Sequence, residues 1–155
     1  MTTTLKTPRR VLGLDWGMKR MGVALGDCIL DQATPLQTIK TKSGVPDWKI
    51  LAKLLDEWHP DAFIVGIPKK MNGEDLYTTA LAKQFCTLLK KQFQLPIYEV
   101  DEGLSTIEAR QQLFDMGGYR KIQSSEVDSY AAKLLIEQWL FDHKINHRIS
   151  EKNSV

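Results

Sequence analysis

The hydrophobic pattern predicts strands at the start of the chain and alternating helices and strands after them. The segments "RRVLGLDW" (9–16) and "MGVALGD" (21–27) are apolar, contain glycines and are separated by a short turn, which predicts a β-hairpin. A weaker extended stretch follows near residues 33–41. The runs "DAFIVGIP" (61–68) and "LPIYEVDE" (95–102) are continuously apolar over strand length, which is typical of strands covered on both faces.

Helical spacing of apolar residues predicts four helices among these strands. The segment "VPDWKILAKLLDEWHP" repeats apolar positions at helical spacing and stops at Pro60. Further helices are expected at about 76–94, from near Ser105, and at about 125–141. The order β-β-β-α-β-α-β-α-α predicts an α/β fold with a mixed five-stranded sheet, its first three strands antiparallel and the next two parallel, with helices on both faces. Right-handed crossovers then bring the carboxyl ends of the strands that finish at Asp15, Pro68 and Glu102 to one edge.

Length and composition are those of one soluble globular domain. The 155 residues are expected to form a single domain, with an ordered core at about 9–142 and flexible tails at 1–8 and 144–155. The N-terminal segment lacks the apolar region of a secretory signal, so we expect a cytoplasmic protein. Cys28 and Cys86 lie far apart without metal-ligand spacing, so both are expected to be reduced packing residues. The net charge of +2 is too small to indicate a nucleic-acid binder by itself.

Carboxylates stand at the ends of two predicted strands. Asp15 ends the first strand and precedes Gly17, while Asp101 and Glu102 end another buried strand. A carboxylate at the end of a buried strand is costly to desolvate unless a cation or hydrogen bonds compensate it. Each has an ordinary alternative, because Asp15 could form a turn with its own backbone and the Asp101–Glu102 pair could be a solvated strand exit.

A third carboxylate, Asp128, lies on the apolar face of the last predicted helix. With about 100° per residue and Val127 at zero, Asp128 falls at about 100°, between Leu135 at about 80° and Trp139 at about 120°. Asp128 therefore points toward the sheet. It could also close a capping box with Ser125, and the two roles are compatible.

Several acidic groups at one sheet edge raise one another's pKa unless a cation compensates them. Oxygen ligands of this kind suit Mg²⁺, which binds one or two carboxylates together with substrate phosphate. Three basic pairs flank the predicted edge and are candidate contacts for the phosphates of a nucleic acid: Lys19 and Arg20, Lys69 and Lys70, and Arg120 and Lys121.

Four motifs in this order resemble the YqgF-type family of the RNase H-like superfamily, whose members are described as Holliday junction resolvases or pre-16S rRNA nucleases. The motifs are "LGLDWGMKRMGVALGD", "IVGIPKKMNGE", "VDEGLSTIEAR" and "SSEVDSYAAKLLI", and the resemblance extends from Arg10 to about Phe141. One departure is Gly103, which stands where the family usually has an arginine.

The resemblance implies an RNase H-like fold and a nuclease that uses Mg²⁺ or Mn²⁺. It implies metal binding by Asp15, Asp128 and one residue of the Asp101–Glu102 pair, of which we favour Glu102. It also implies substrate contacts at Ser105 and Thr106. The expected function is metal-dependent hydrolysis of phosphodiesters, most simply at the 5′ end of precursor 16S rRNA during ribosome biogenesis.

Other interpretations stay open at this point. The protein could resolve Holliday junctions in branched DNA, or bind nucleic acid without catalysis, and it could be a monomer or a homodimer. A hairpin with Asp-x-Gly also opens the ATPases of the actin and sugar-kinase type, but those need two such domains and a second phosphate loop, for which 155 residues leave no room.

Overall fold

The computed structural model of the chain describes residues 8–70, 72–102 and 124–153, and in the last of these ranges it describes the side chains of 127–143. The elements in chain order are β1 (Arg10–Asp15), β2 (Arg20–Asp27), β3 (Gln32–Lys42), β4 (Val45–Pro46), α1 (Trp48–Trp58), β5 (Ala62–Ile67), α2 (Tyr77–Phe93), β6 (Ile97–Asp101) and α3 (Ser124–Asn153).

The strands form one mixed sheet in the order β4-β3-β2-β1-β5-β6. Neighbouring strands from β4 to β1 are antiparallel, while β5 pairs in parallel with both β1 and β6. The predicted hairpin, the mixed sheet and the adjacent parallel strands are thereby confirmed. The carboxyl ends of β1, β5 and β6 meet at one edge, where open α/β sheets place their functional sites.

The sheet has six strands rather than the five predicted, because β3 turns back into the two-residue strand β4. Thr41 pairs with Pro46 and Lys42 pairs with Val45, across a turn in which Ser43 and Gly44 have positive φ. Two consecutive residues of positive φ form the tight turn whose twist suits a hairpin. A strand of two residues is too short to produce a hydrophobic period, so the pattern could not reveal it.

Helices cover both faces of the sheet. Leu12, Leu14, Phe63 and Val65 project to the face that carries α1 and α2, where they pack with residues such as Phe85. The opposite face, which we call the α3 face, is covered by α3 and has its own core of residues from both layers: Val11, Ala24, Ala62, Ile64, Leu135, Ile136 and Trp139. Full burial of a large apolar side chain contributes about 1.5–3 kcal/mol, so the first cluster holds α1 and α2 against one face of the sheet and the second holds α3 against the other.

The last helix is longer than its hydrophobic pattern predicts. It begins at Ser124 and continues to Asn153, whereas apolar periodicity ends near Phe141. Once a helix is nucleated by a packed segment, each added residue gains a backbone hydrogen bond without needing an apolar face, so a polar sequence can extend it. The flexibility expected for residues 144–155 stays a prediction. Among the described residues, no helix is long and apolar enough to cross a membrane.

Candidate active site

Asp15 is buried at the end of β1 and projects to the α3 face. Side chains alternate along a strand, and Val11 belongs to the core under α3 while Leu12 and Leu14 belong to the opposite core. Asp15 therefore shares the face of Val11, with only 8% of its surface exposed. In the sheet its two neighbours are glycines, Gly22 on β2 and Gly66 on β5.

Gly22 brings Asp128 close to Asp15. A Cβ at position 22 would collide with the backbone oxygen of Asp128, so only glycine lets α3 approach β2 this closely. Neighbouring strands lie about 4.8 Å apart, and Gly22 is paired directly with Asp15. The first described turns of α3 therefore lie over the end of β1.

Gly66 makes the corresponding space for Glu102 on the other side of Asp15. A Cβ at position 66 would lie 2.6 Å from Cδ and 2.9 Å from Oε1 of Glu102, and 2.7 Å from a methyl carbon of Leu135. The Glu102 backbone N–H donates to the carbonyl of Ile67 at 2.9 Å, which continues the strand pairing by one residue. Glu102 is 9% exposed, and its Oε1 is fully buried on the α3 face.

Asp101 lies on the opposite face from Glu102. Its carboxylate is largely exposed and forms an ion pair with Lys69, whose Nζ lies 3.8 Å from Oδ1. Tyr98 and Val100 pack in the core under α3, so alternation turns Asp101 away from that core. Of the two residues, Glu102 is therefore the one on the face of Asp15 and Asp128.

Arg20 supplies a positive charge beside these carboxylates. It is the first residue of β2, and its Nε lies 3.1 Å from Oδ2 of Asp128. The capping box considered for Asp128 requires a helix that begins after Ser125, but α3 already begins at Ser124. The carboxylate of Asp128 instead reaches Arg20 on the sheet.

The candidate lysines, Lys69, Lys70 and Lys19, lie in the turns that follow β5 and β1. Lys69 lies in a small hairpin between β5 and α2, where its Nζ is 3.6 Å from Oδ1 of Asp75 as well as close to Asp101. Lys70 is half exposed and pairs with Glu74 at 3.9 Å, and Lys19 is exposed in the turn between β1 and β2. Contacts of these lysines with substrate stay predictions.

Several predicted positions lie outside the described residues. These are Ser105, Thr106, Arg120, Lys121 and the unusual Gly103. The two cysteines are free thiols away from the carboxylates, as expected of packing residues. Burial raises the pKa of Cys28 to about 11 and that of Cys86 to about 12, which keeps both protonated near neutral pH.

The donors at this sheet edge have the chemistry that a hard divalent cation requires. Carboxylate oxygens of Asp15, Glu102 and Asp128 are its preferred ligands, and the two glycines leave the space in which these groups approach one another. Within the described ranges, no group of three or more His, Cys, Asp or Glu side chains is close enough to hold a metal ion together. Mg²⁺ needs only one or two protein carboxylates when phosphate and water complete its shell, so the residues fit such an ion.

Sequence reasoning missed the residues that support the carboxylates. Gly22 and Gly66 flank Asp15 across the sheet, and Trp16, the next residue after Asp15, holds the end of β1 against the turn between β3 and β4. The Trp16 ring is buried, and its Nε1–H donates to the carbonyl of Gly44 at 2.8 Å. A glycine inside each of two strands beside the Asp15 strand was the available signal, because glycine within a strand often marks a close approach.

The chain is similar over most of its length to one family of proteins and to named bacterial proteins. The profile of the RuvX family, described as "Holliday junction resolvase", matches residues 9–142. A protein of Legionella pneumophila strain Lens named "Putative pre-16S rRNA nuclease" is 52% identical over 134 residues, which is 86% of this chain and 96% of that protein. A protein of Shewanella oneidensis with the same name is 41% identical over 87% of this chain and 96% of its own length.

Solved structures of resolvases share the fold. The chain resembles Thermus thermophilus RuvC in complex with a Holliday junction substrate, with a TM-score of 0.52, 16% identity and coverage of 87% of this chain and 95% of that one. It also resembles the fowlpox virus resolvase in complex with Holliday junction DNA, with a TM-score of 0.51, 11% identity and coverage of 86% and 97%. The mixed α/β architecture expected of an RNase H-like protein is therefore confirmed.

Proposed function

Because the chain belongs to the RuvX family of Holliday junction resolvases, we propose that it is a metal-dependent endonuclease that hydrolyses phosphodiester bonds in nucleic acid. The observation that carries this proposal is the approach of Asp128 and Glu102 to Asp15, over two glycines, on one face of the sheet. Carboxylates gathered where parallel strands of a sheet end are the ligand type for Mg²⁺ or Mn²⁺.

In this proposal Asp15, Glu102 and Asp128 supply the ligands, of which one or two at a time hold the cation together with phosphate and water. When bound, Mg²⁺ or Mn²⁺ supplies Lewis-acid polarisation of a phosphoryl oxygen and lowers the pKa of a water molecule. The protein contributes the positions of the carboxylates, which are set by the strand ends and by α3. Burial of Asp15 and Glu102 strengthens their attraction for a cation, because the local dielectric constant is lower than that of water.

Basic residues at the same edge are proposed to bind the substrate backbone. Arg20 faces the carboxylates, while Lys19 and Lys70 are exposed in neighbouring turns. Such contacts position a nucleic acid without reading its sequence. Lys69 also neutralises Asp75 and Asp101, so we assign it to holding the hairpin beside the site as well as to substrate binding.

Precursor 16S rRNA is the proposed substrate, cleaved at its 5′ end during ribosome biogenesis. The support is the identity of 41–52% with proteins that carry the name of pre-16S rRNA nucleases and are covered over 96% of their length. This substrate would place the protein in the cytoplasm, as expected from the sequence.

Resolution of four-way DNA junctions is the second candidate function. It is favoured by the description of the matching family, whose profile covers residues 9–142. Junction resolution cuts two strands and so requires two active sites, whereas processing of an RNA end requires one. A dimer in solution would therefore support the second candidate.

The test is cleavage by the purified protein of a precursor 16S rRNA fragment and of a four-way DNA junction, each with Mg²⁺, with Mn²⁺ and with chelator. We expect cleavage of the RNA that depends on metal and disappears with chelator. Cleavage of the junction alone would favour the second candidate. Binding without cleavage under all conditions would indicate a non-catalytic nucleic-acid-binding protein and would contradict the proposal.

A further inference from the structure

The ion pair between Arg20 and Asp128 connects the proposed metal site with the proposed substrate contacts. Arg20 begins β2 two residues before Gly22 and so projects to the same face. Its Nε lies 3.1 Å from Oδ2 of Asp128, an oxygen that is buried. About half of the arginine side chain is exposed, whereas the aspartate side chain is 18% exposed. The pair therefore joins a half-exposed cation to a largely buried carboxylate.

In the proposed site Asp128 would bind two different cations, the guanidinium group of Arg20 and the divalent metal ion. A guanidinium group and a divalent cation that approach the same carboxylate repel each other, and each weakens the attraction of that carboxylate for the other. Arg20 can leave, because about half of its long side chain is already exposed to solvent and the side chain has many rotamers. Its planar fork also suits the oxygens of a phosphate, and the substrate backbone would provide them at this edge.

We infer, on the basis of the proposed function, that Arg20 and the divalent cation alternate on Asp128. Arg20 neutralises the carboxylate while the metal is absent and turns toward a substrate phosphate when the metal binds. Metal binding and nucleic-acid binding are then coupled, since each favours the state in which Arg20 has left Asp128, and such coupling is reciprocal.

Titration calorimetry with Mn²⁺ and no nucleic acid tests the exchange. Removal of the competing charge by Arg20→Gln should tighten Mn²⁺ binding about threefold or more. Lys40→Gln is the matched control, because Lys40 pairs directly with Arg20 across β2 and β3 and its exposed side chain shares the α3 face. It removes the same charge one strand further from Asp128 and should change Mn²⁺ affinity much less. Equal tightening in both variants would mean a general field effect and would overturn the exchange.

A double-mutant cycle on the metal-free protein tests the ion pair without any metal. Arg20→Gln should lower the melting temperature, because Asp128 loses its counter-charge, and Asp128→Asn should remove that dependence on Arg20. We expect the double variant Arg20→Gln/Asp128→Asn to melt above the value obtained by adding the two single effects. Strict additivity would show that the pair is not coupled and would contradict the inference.

Asp15→Asn distinguishes a failure of this inference from a failure of the proposed function. Loss of Mn²⁺ binding in Asp15→Asn with unchanged affinity in Arg20→Gln would keep the metal site and overturn the exchange. If the wild-type protein bound no Mn²⁺, or if Asp15→Asn bound it normally, the proposed metal site would be wrong. The exchange, which depends on that site, would then be contradicted as well. Weaker Mn²⁺ binding in Arg20→Gln would overturn the exchange by assigning Arg20 the opposite role of holding Asp128 ready for the ion.

Discussion

Asp15 is the carboxylate with the most constrained position in the proposed site. It is buried at the end of a central strand, with a glycine on each side. A change to asparagine keeps the shape of the side chain and removes the negative charge. Asp15→Asn should reduce metal-dependent cleavage by about a hundredfold or more while the fold is retained. Cleavage assays with circular dichroism as the control for folding check this, and turnover near that of the wild type would contradict the role of Asp15 as a ligand.

The structure also predicts different outcomes for two adjacent carboxylates. Glu102 lies against Gly66 on the α3 face, whereas Asp101 is exposed and paired with Lys69. Glu102→Gln should therefore lose most metal-dependent cleavage and most metal binding. Asp101→Asn should keep most of both and lose only an exposed ion pair, which contributes about 0–1 kcal/mol. The reverse result, measured by calorimetry and cleavage on the two variants, would assign the metal to Asp101.

At the scale of elements, the approach of α3 to β2 depends on Gly22. An alanine there would place its Cβ on the backbone oxygen of Asp128, so the helix or the strand must move. Gly22→Ala should lower the free energy of unfolding by about 1–3 kcal/mol or more, as overpacking does. Cleavage should also fall when it is assayed at a temperature well below the melting temperature of the variant, because Asp128 moves with its helix.

Gly73 provides the comparison for that variant. Its Cβ would meet no atom within 4 Å, but its φ is +87°, so Gly73→Ala introduces backbone strain without a collision. We expect a loss of about 1 kcal/mol in the free energy of unfolding and little change in Mn²⁺ binding, since the strain lies in the hairpin between β5 and α2 and not beside the carboxylates. Denaturant unfolding and Mn²⁺ titration of both variants separate the two effects, and full activity in Gly22→Ala would show that Asp128 does not need this helix position.

The hairpin between β5 and α2 carries the second predicted contact with nucleic acid. The Thr79 hydroxyl donates to the carbonyl of Pro68 and accepts from the Leu76 backbone N–H, which fixes the base of this hairpin. Lys69→Ala/Lys70→Ala should weaken nucleic-acid binding and reduce the dependence of log K on log salt by up to about 2. Lys90→Ala/Lys91→Ala removes two charges from the far end of α2, where Lys90 donates to the carbonyl of Leu95, and should leave the slope unchanged. Equal slopes for the two double variants would show that Lys69 and Lys70 are solvated surface residues that do not contact nucleic acid.

At the scale of the whole molecule, the cysteines report on global unfolding. Burial raises the pKa of Cys28 to about 11 and that of Cys86 to about 12, so the reactive thiolate is scarce at pH 8 in the folded protein. Both thiols should alkylate slowly at pH 8 in the native state and rapidly in denaturant, where the pKa returns to its ordinary value. Because a raised pKa delays ionisation, native labelling should accelerate steadily as the pH rises above 8. Rapid native labelling of Cys86 at pH 8 would contradict its burial.

The hydrophobic pattern was sufficient for most of the architecture, since the period of apolar residues directly reflects which faces are buried. It predicted the hairpin, the parallel pairing of β1, β5 and β6, and the positions of α1 and α2. It failed for β4, which is shorter than any period, and for the end of α3, which continues beyond the residues whose apolar spacing predicted a helix. Burial creates the pattern, so elements that bury little leave no trace in it.

The carboxylates could be picked out along the chain because each of them interrupts an apolar run. The pattern could not assign their separate roles, since Asp101 and Glu102 are neighbours in sequence and differ only in the face of the sheet to which they project. The tertiary packing places Glu102 and Asp101 on opposite faces of the sheet, pairs Asp128 with Arg20, and shows why Gly22 and Gly66 must lack side chains. These are distances between residues far apart in the chain, and only the tertiary fold sets such distances.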